Sequence, residues 1–301
     1  MLALQFWVTL AAAAMAQSAV LPDATMAPVP PPSAVQSAPS KSAPASDAMN
    51  MAPGGRELEV LPPKPAPFEA ELKHLESQLK VIEAKGPSLS TGFAFRRGRL
   101  RNPAQLPLEG LGFRSIRPLR NAYYGTDDMI AGLMETCAAL KQDDPDMPPL
   151  AVGDITGPQG GRIALHHSHR SGRDADLVFF WTDPDGKPVQ TEEFVRFNRR
   201  GRAVYKGKPI RFDVQRNWNL VRGLLASPRF GDRVRWIFVY TPLRKLLLDY
   251  AERVEGDMYY LERAWQTLAQ PGRRAGRHDN HFHIRIDCSD EELFEGCRND
   301  H

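Results

Sequence analysis

The segment His278-Asp-Asn-His-Phe-His-Ile-Arg-Ile286 decides how this chain is read. From His281 onward polar and apolar residues alternate. Successive side chains of a β-strand point to opposite faces. His281, His283 and Arg285 therefore share one face, and Phe282, Ile284 and Ile286 share the other. The apolar set anchors a core, while two imidazoles stand on the opposite side. A strand is expected over Phe282–Ile286.

A second cluster lies far upstream, His166-His-Ser-His-Arg-Ser-Gly-Arg-Asp-Ala-Asp176. The chain has eight histidines, and six of them fall in these two segments. Imidazole nitrogens and carboxylate oxygens are natural ligands of a zinc ion that keeps one position open for water. His169 ends an irregular Gly/Ser/Arg loop and Asp176 opens the following strand, so both can reach an ion shared with the downstream cluster. Asp174 has the strand parity of Asp176 and is placed to orient a ligand from behind. His166 is near enough to line a cleft, and His167 is expected to be exposed or structural. Of His281 and His283, one is expected to bind metal and the other to handle the proton of a metal-bound water. A lone His-x-His pair is more often structural than catalytic; the convergence of two clusters is what carries the metal reading. No His-Glu-x-x-His helix is present, which excludes metalloproteases of that type.

The surrounding pattern mixes helices and strands without regular βαβ alternation. Leu72, Leu75, Leu79 and Ile82 have helical spacing within Ala70–Ala84, ended by Gly86-Pro87. Thr126 is a candidate cap for a helix over Asp127–Lys141, with Ile130, Leu133, Met134, Cys137 and Leu140 as its apolar stripe. Further helices are expected at Arg216–Ala226, Leu243–Arg253 and Met258–Gln270. Strands are expected at Leu150–Ile155, Asp176–Trp181 and Val234–Tyr240. Gly157-Pro-Gln-Gly-Gly161 lacks the Lys-Ser/Thr of a phosphate-binding loop and reads as a turn. The expected fold class is α+β: one catalytic domain over 88–301, its largely antiparallel sheet flanked by helices, with the zinc site on the sheet.

Residues 1–16 read as an export signal. Leu2–Met15 is apolar, and Ala14-Met15-Ala16 is a small-x-small cleavage site, although no Lys or Arg precedes the run. It falls short of the roughly 20 residues of a membrane span, so stable membrane insertion after cleavage is not expected. Residues 17–68 are rich in Ala, Pro and Ser and read as a disordered linker, either reaching across the cell envelope or serving as an inert spacer. The amphipathic helix then occupies 69–87. A net charge of +3 and the lack of a recognisable binding module argue against nucleic acid as a partner. The basic run Arg96–Arg101 reads as a solvated loop or strand edge. Cys137 falls on a helical apolar stripe and is expected to be a buried free thiol. Cys288 and Cys297 flank a short acidic segment and are positioned to close a loop in an oxidising compartment.

His169-x6-Asp176 and His281-Phe-His283 are the motifs shared by lysostaphin-type enzymes, D-Ala-D-Ala metallopeptidases and the hedgehog domain. Together with Leu108-Glu-Gly-Leu-Gly-Phe113, Arg117-Pro-Leu-Arg-Asn121, Tyr124-Gly125 and Gly153-Asp-Ile-Thr-Gly-Pro-Gln-Gly-Gly161, they make the chain resemble the penicillin-insensitive murein endopeptidases of that group. The resemblance spans about residues 88–290. It implies Zn2+ held by His169, Asp176 and His283, proton transfer by His281, and a site lined by His166 and His278. It also implies an acid of the middle region near a metal, for which Asp213 is the candidate; Arg216, rather than a histidine, stands shortly after it. Cys288 and Cys297 match the family's C-terminal disulfide, while its other cysteines are missing. The implied reaction is hydrolysis of the D-alanyl–meso-diaminopimelyl cross-link between peptidoglycan peptide stems in the periplasm. A zinc-bound water would attack without a covalent enzyme intermediate, so β-lactams that acylate serine would have no target. Two alternatives remain at this stage. One is a D-Ala-D-Ala metallocarboxypeptidase or dipeptidase on the same scaffold. The other is a non-catalytic wall-binding module, against which His281 beside His283 argues.

Overall fold

The alternating segment forms a strand near the middle of a seven-stranded sheet. In chain order the strands are β1 (Glu109–Gly110), β2 (Phe113–Ser115), β3 (Leu150–Val152), β4 (Asp174–Val178), β5 (Val234–Phe238), β6 (Leu268–Ala269) and β7 (His281–Ile286). Across the sheet they lie in the order β6-β5-β7-β4-β3-β2-β1. The β5–β6 and β2–β3 pairs are parallel, and the other neighbours are antiparallel. The fold is α+β with a mostly antiparallel sheet, as the pattern predicts. This computed structural model describes residues 67–190, 192–272 and 275–300. The expected export segment, and the expected linker up to residue 66, lie outside the described residues.

Six helices accompany the sheet among the described residues: α1 (Pro67–Ala84), α2 (Asp127–Asp143), α3 (Val214–Ala226), α4 (Thr241–Val254), α5 (Met258–Thr267) and α6 (Asp290–Phe294). Thr126 caps α2 by accepting a hydrogen bond from the Met129 amide at 3.3 Å, which satisfies one of the free donors of the first turn. The predicted stripe of α2 is buried, and α1 packs on this helix with Leu75, Leu79 and Ile82 buried. On the amphipathic α3, Trp218, Leu220, Val221, Leu224 and Leu225 are buried, and the helix packs against α2, α4, α5 and β5. Each such apolar side chain contributes roughly 1.5–3 kcal/mol when fully buried.

The core face of β7 behaves as its alternation requires. Phe282, Ile284 and Ile286 are fully buried, and Phe282 meets Phe179 edge-on at 4.7 Å. Cys288 and Cys297 form a disulfide that closes the loop bearing α6, and Cys137 is a buried free thiol whose pKa burial pushes up to about 12. Arg96, Arg97, Arg99 and Arg101 are exposed.

Three expected elements differ from the structure. The strand expected over Asp176–Trp181 is two strands: β4 begins at Asp174 and ends at Val178, while Trp181–Thr182 pairs with Lys208–Phe212 in a separate sheet. The break has a cause in α3. The buried Asn217 amide donates to the Phe180 carbonyl at 2.7 Å and accepts from the Phe180 N–H at 3.0 Å, taking both backbone groups out of the ladder. The helix expected to run to Gln270 stops at Thr267. Leu268 and Ala269 instead extend as β6, where β5 supplies parallel partners, a tertiary override of local propensity. The strand expected over Leu150–Ile155 is regular only to Val152, although Gly153 and Asp154 continue to bond Asp176: the Gly153 N–H donates to the Asp176 carbonyl at 2.8 Å, and the Asp176 N–H to the Asp154 carbonyl at 3.0 Å.

Because Phe282 couples the strand of histidines to the aromatic core, Phe282→Ala is expected to destabilise the fold by about 3–5 kcal/mol. Urea denaturation followed by tryptophan fluorescence measures this; a change under about 1 kcal/mol would show that the site does not depend on that packing.

Candidate metal centre

The antiparallel register of β7 on β4 sets His283 opposite Asp176 and Arg285 opposite Asp174. Since the side-chain period of a strand is two, these four residues project to one side of the sheet. His169 arrives from the loop before β4. Its backbone is left-handed, with φ of 60°, an uncommon conformation outside glycine. The backbone and Nδ1 of His169 are tied down there. Its N–H donates to Asp174 Oδ2 at 2.9 Å, its carbonyl accepts from Thr156 Oγ1 at 2.6 Å, and its Nδ1–H donates to the Ile155 carbonyl at 2.7 Å. The turn at 157–161 braces the same loop, the Gly161 N–H donating to the Arg170 carbonyl at 2.8 Å.

These constraints fix which atoms face inward. His169 uses Nδ1 outward, so Nε2 turns in. His283 donates Nε2–H to Asp174 Oδ1 at 2.9 Å, so Nδ1 turns in. His169 Nε2, His283 Nδ1 and Asp176 Oδ1 then form a triangle with all three sides at 3.1 Å. Ligand atoms about 2.0–2.2 Å from a tetrahedral ion stand roughly 3.3–3.5 Å apart, so the triangle is close to the right size. Converging lone pairs repel one another, and a cation at their centre relieves that repulsion. All three residues are buried.

The electrostatics point the same way. Burial raises the Asp176 pKa, but the neighbouring His169 and His281 outweigh it and hold the carboxyl well below its usual range. Burial likewise opposes ionisation of Asp174, and Arg285 together with His283 overrides it, leaving a firmly ionised carboxylate. For His283, burial lowers the pKa, while Asp174 and Asp176 raise it above the ordinary value. The pocket attracts positive charge.

His281, on the same face of β7, lies beside the triangle with Nε2 3.3 Å from Asp176 Oδ1. Its Nδ1–H donates to Asn280 Oδ1 at 2.6 Å, which leaves Nε2 as the basic nitrogen. Phe194 stands edge-on to its ring at 5.1 Å, and the Arg117 guanidinium stacks 4.4 Å over Phe194. His278 packs against both neighbours, its ring 4.9 Å from His281 and 5.4 Å from His283. Burial, then the His283 and His281 charges, push its pKa down to about 3, so it lines the site as a neutral imidazole.

His166 occupies the other wall. Its ring is 4.1 Å from that of His169, and Nε2 is 2.8 Å from Asp154 Oδ2. His166, His169 and Asp176 also have donor atoms close enough together to hold a metal ion. The two triads share His169 and Asp176 and differ in the third corner. The His283 corner has the better geometry: its inner nitrogen is 3.1 Å from Asp176, whereas His166 Nδ1 is 3.8 Å from Asp176 and Nε2 is committed to Asp154. His167 is exposed.

One candidate is engaged with other partners. Asp213 is the N-cap of α3, accepting from the Arg216 N–H at 3.0 Å, and its carboxylate pairs with Arg216 Nη1, also at 3.0 Å. Arg216 in turn bonds Asp144 at the end of α2. Asp213 thus serves helix docking. Conversely, Asp154 goes unassigned in the sequence reading although it holds the site together. It is buried, and besides its contact with His166 its two oxygens share the single Nε–H of Arg120 at 2.8 and 2.9 Å. An acid ending an apolar run was its signal. Gly153 beside it has a steric reason: a Cβ there would lie 2.5 Å from the Phe194 ring and 3.3 Å from the Asp176 Cβ.

The sequence model of the penicillin-insensitive murein endopeptidases matches residues 91–301, most of the chain. This chain belongs to that family. Among curated proteins it is similar to the penicillin-insensitive murein endopeptidase of Haemophilus influenzae, 28% identical over 208 residues, covering 68% of this chain and 65% of that protein. Two Klebsiella pneumoniae proteins of the same description are 24% identical over 217 residues, covering 69% of this chain and 70% of theirs. The match therefore spans just under two thirds of the Haemophilus relative.

The triangle predicts that His283→Ala abolishes stoichiometric binding of a divalent metal, while His166→Ala retains it. Elemental analysis after dialysis reads this out; the reverse pattern would move the third corner to His166.

Proposed function

We propose that this chain is a zinc-dependent endopeptidase that cleaves the D-alanyl–meso-diaminopimelyl cross-link of peptidoglycan in the cell envelope. The observation that carries the reading is the 3.1 Å triangle of His169, Asp176 and His283 with His281 beside it. Two imidazoles and one carboxylate suit zinc with a position left open. Zinc held there would supply Lewis acidity toward water and the scissile carbonyl.

The remaining work belongs to the chain's own side chains. His281 Nε2 faces the site with its lone pair, because Asn280 holds the proton on Nδ1. It accepts a proton from the attacking water and passes it to the leaving amine. Asp174 and the Ile155 carbonyl keep His283 and His169 in the tautomers that direct Nδ1 and Nε2 inward. Neutral His278 and the Arg117–Phe194 stack line the cleft without competing for the metal position. No side-chain nucleophile takes part, so a serine-acylating β-lactam finds no target. The apolar run at the N-terminus supports export, and no helix among the described residues is long and apolar enough to cross a membrane.

The full chain, loaded with zinc and incubated with cross-linked muropeptides, is expected to convert dimers to monomers by mass spectrometry. Release of free D-alanine alone would make it a carboxypeptidase, and sedimentation with sacculi without any product would make it a wall-binding module. His281→Ala is expected to keep one equivalent of zinc while losing about 10²–10⁴-fold in kcat. Unchanged turnover in that variant would remove His281 from proton transfer.

A further inference from the structure

Behind the histidines, two buried arginines tie the site to the segment Arg298–Asp300. Arg173 donates to the Ile286 carbonyl at 2.9 Å, the Arg298 carbonyl at 3.1 Å and Asn299 Oδ1 at 3.5 Å. Asn299 Oδ1 also accepts from the Cys288 N–H at 2.8 Å, the Arg298 N–H donates to the Gly92 carbonyl at 3.0 Å, and the disulfide holds Cys297 one residue earlier. A segment fixed this firmly delivers the Asp300 carboxylate to Arg285, with which it forms an ion pair through Nη1. The other side of the same guanidinium reaches the metal site: Arg285 Nε donates to Asp174 Oδ1 at 2.6 Å.

That oxygen is contested. Asp174 Oδ1 also accepts the His283 Nε2–H at 2.9 Å, while Oδ2 accepts the His169 N–H at 2.9 Å. One carboxylate therefore orients two of the three proposed ligands. A guanidinium with a single carboxylate partner tends to take it with both prongs of its fork. Asp300 occupies one prong, so Arg285 meets Asp174 through Nε and leaves the carboxylate to the histidines. Asp300 also shares with Asp174 the compensation of the buried Arg285 charge.

We propose that Asp300, acting through Arg285 and Asp174, is a positioning residue that sets the metal affinity of the site. This rests on the reading of His169, Asp176 and His283 as ligands. Asp300 touches neither metal nor substrate; it keeps Asp174 from being captured by Arg285. Removing its charge lets Arg285 swing its fork onto Asp174, which loosens His283 and adds positive charge to the centre.

The test compares the full wild-type chain with Asp300→Asn and Asp300→Glu, measuring the zinc Kd by competition with a chelator of known affinity and the melting temperature of the metal-free protein. Asp300→Asn is expected to bind zinc about 10–100-fold more weakly, the usual effect of losing a partner that orients a ligand, with kcat reduced and KM unchanged. Asp300→Glu is expected to restore most of the affinity. Wild-type zinc affinity in Asp300→Asn, whether or not its melting temperature falls, overturns the inference and leaves a merely structural contact. A wild-type chain that takes up no zinc overturns the ligand reading itself, and the inference with it.

Discussion

The register between β7 and β4 is the constraint on which the rest of the site depends. Setting His283 across from Asp176 brings a ligand-competent pair together with no loop rearrangement, and the next antiparallel step sets Arg285 across from Asp174. A slip by one residue would exchange the faces, sending Phe282 and Ile284 toward the histidine loop and both imidazoles into the aromatic core. The buried packing of Phe282 on Phe179 opposes that slip. Core packing on one face and the polar constellation on the other are thus a single choice of register.

Three buried carboxylates would be costly without compensation, since each charge loses its hydration. Each has a cationic or donor partner arranged around it: Arg120 and His166 for Asp154, Arg285 and His283 for Asp174, His169 and His281 for Asp176. Such pairs add little net stability. Their return is geometry, because every imaginable swing of the histidines would break a hydrogen bond to a group that cannot find water. The left-handed His169 fits this view; an uncommon backbone conformation held by three hydrogen bonds occurs at a corner of the triangle and is matched by His278, with φ of 51°, on the opposite wall.

Much of the fold was legible because it follows local periodicity. The stripe of α2, the cap at Thr126 and the alternation of β7 are visible in short windows and appear in the structure. The failures share a cause. Val178 and Trp181 look like one strand, but Asn217 from a distant helix interrupts them; Leu268 and Ala269 look helical, but β5 offers a sheet edge. Asp213 was the acid that the family resemblance implied, yet its place just before the helix makes it a cap that accepts from the Arg216 N–H. Asp154 was hidden for the opposite reason, as its partners Arg120 and His166 lie 34 and 12 residues away in sequence.

By itself the sequence determined the chemical inventory and its parity: which histidines and acids exist, that His281 and His283 share a face, and that Phe282, Ile284 and Ile286 oppose them. Those properties depend on a strand period of two and on side-chain chemistry, and both are local. Only the tertiary structure decided the roles. It turned Nε2 of His169 and Nδ1 of His283 inward by occupying their other nitrogens, gave Asp213 a helix to cap, and brought Asp300 to the back of the site through Arg285. The partners that orient the two imidazoles, Ile155 for His169 and Asp174 for His283, lie 14 and 109 residues away, and no short window of sequence shows that they meet.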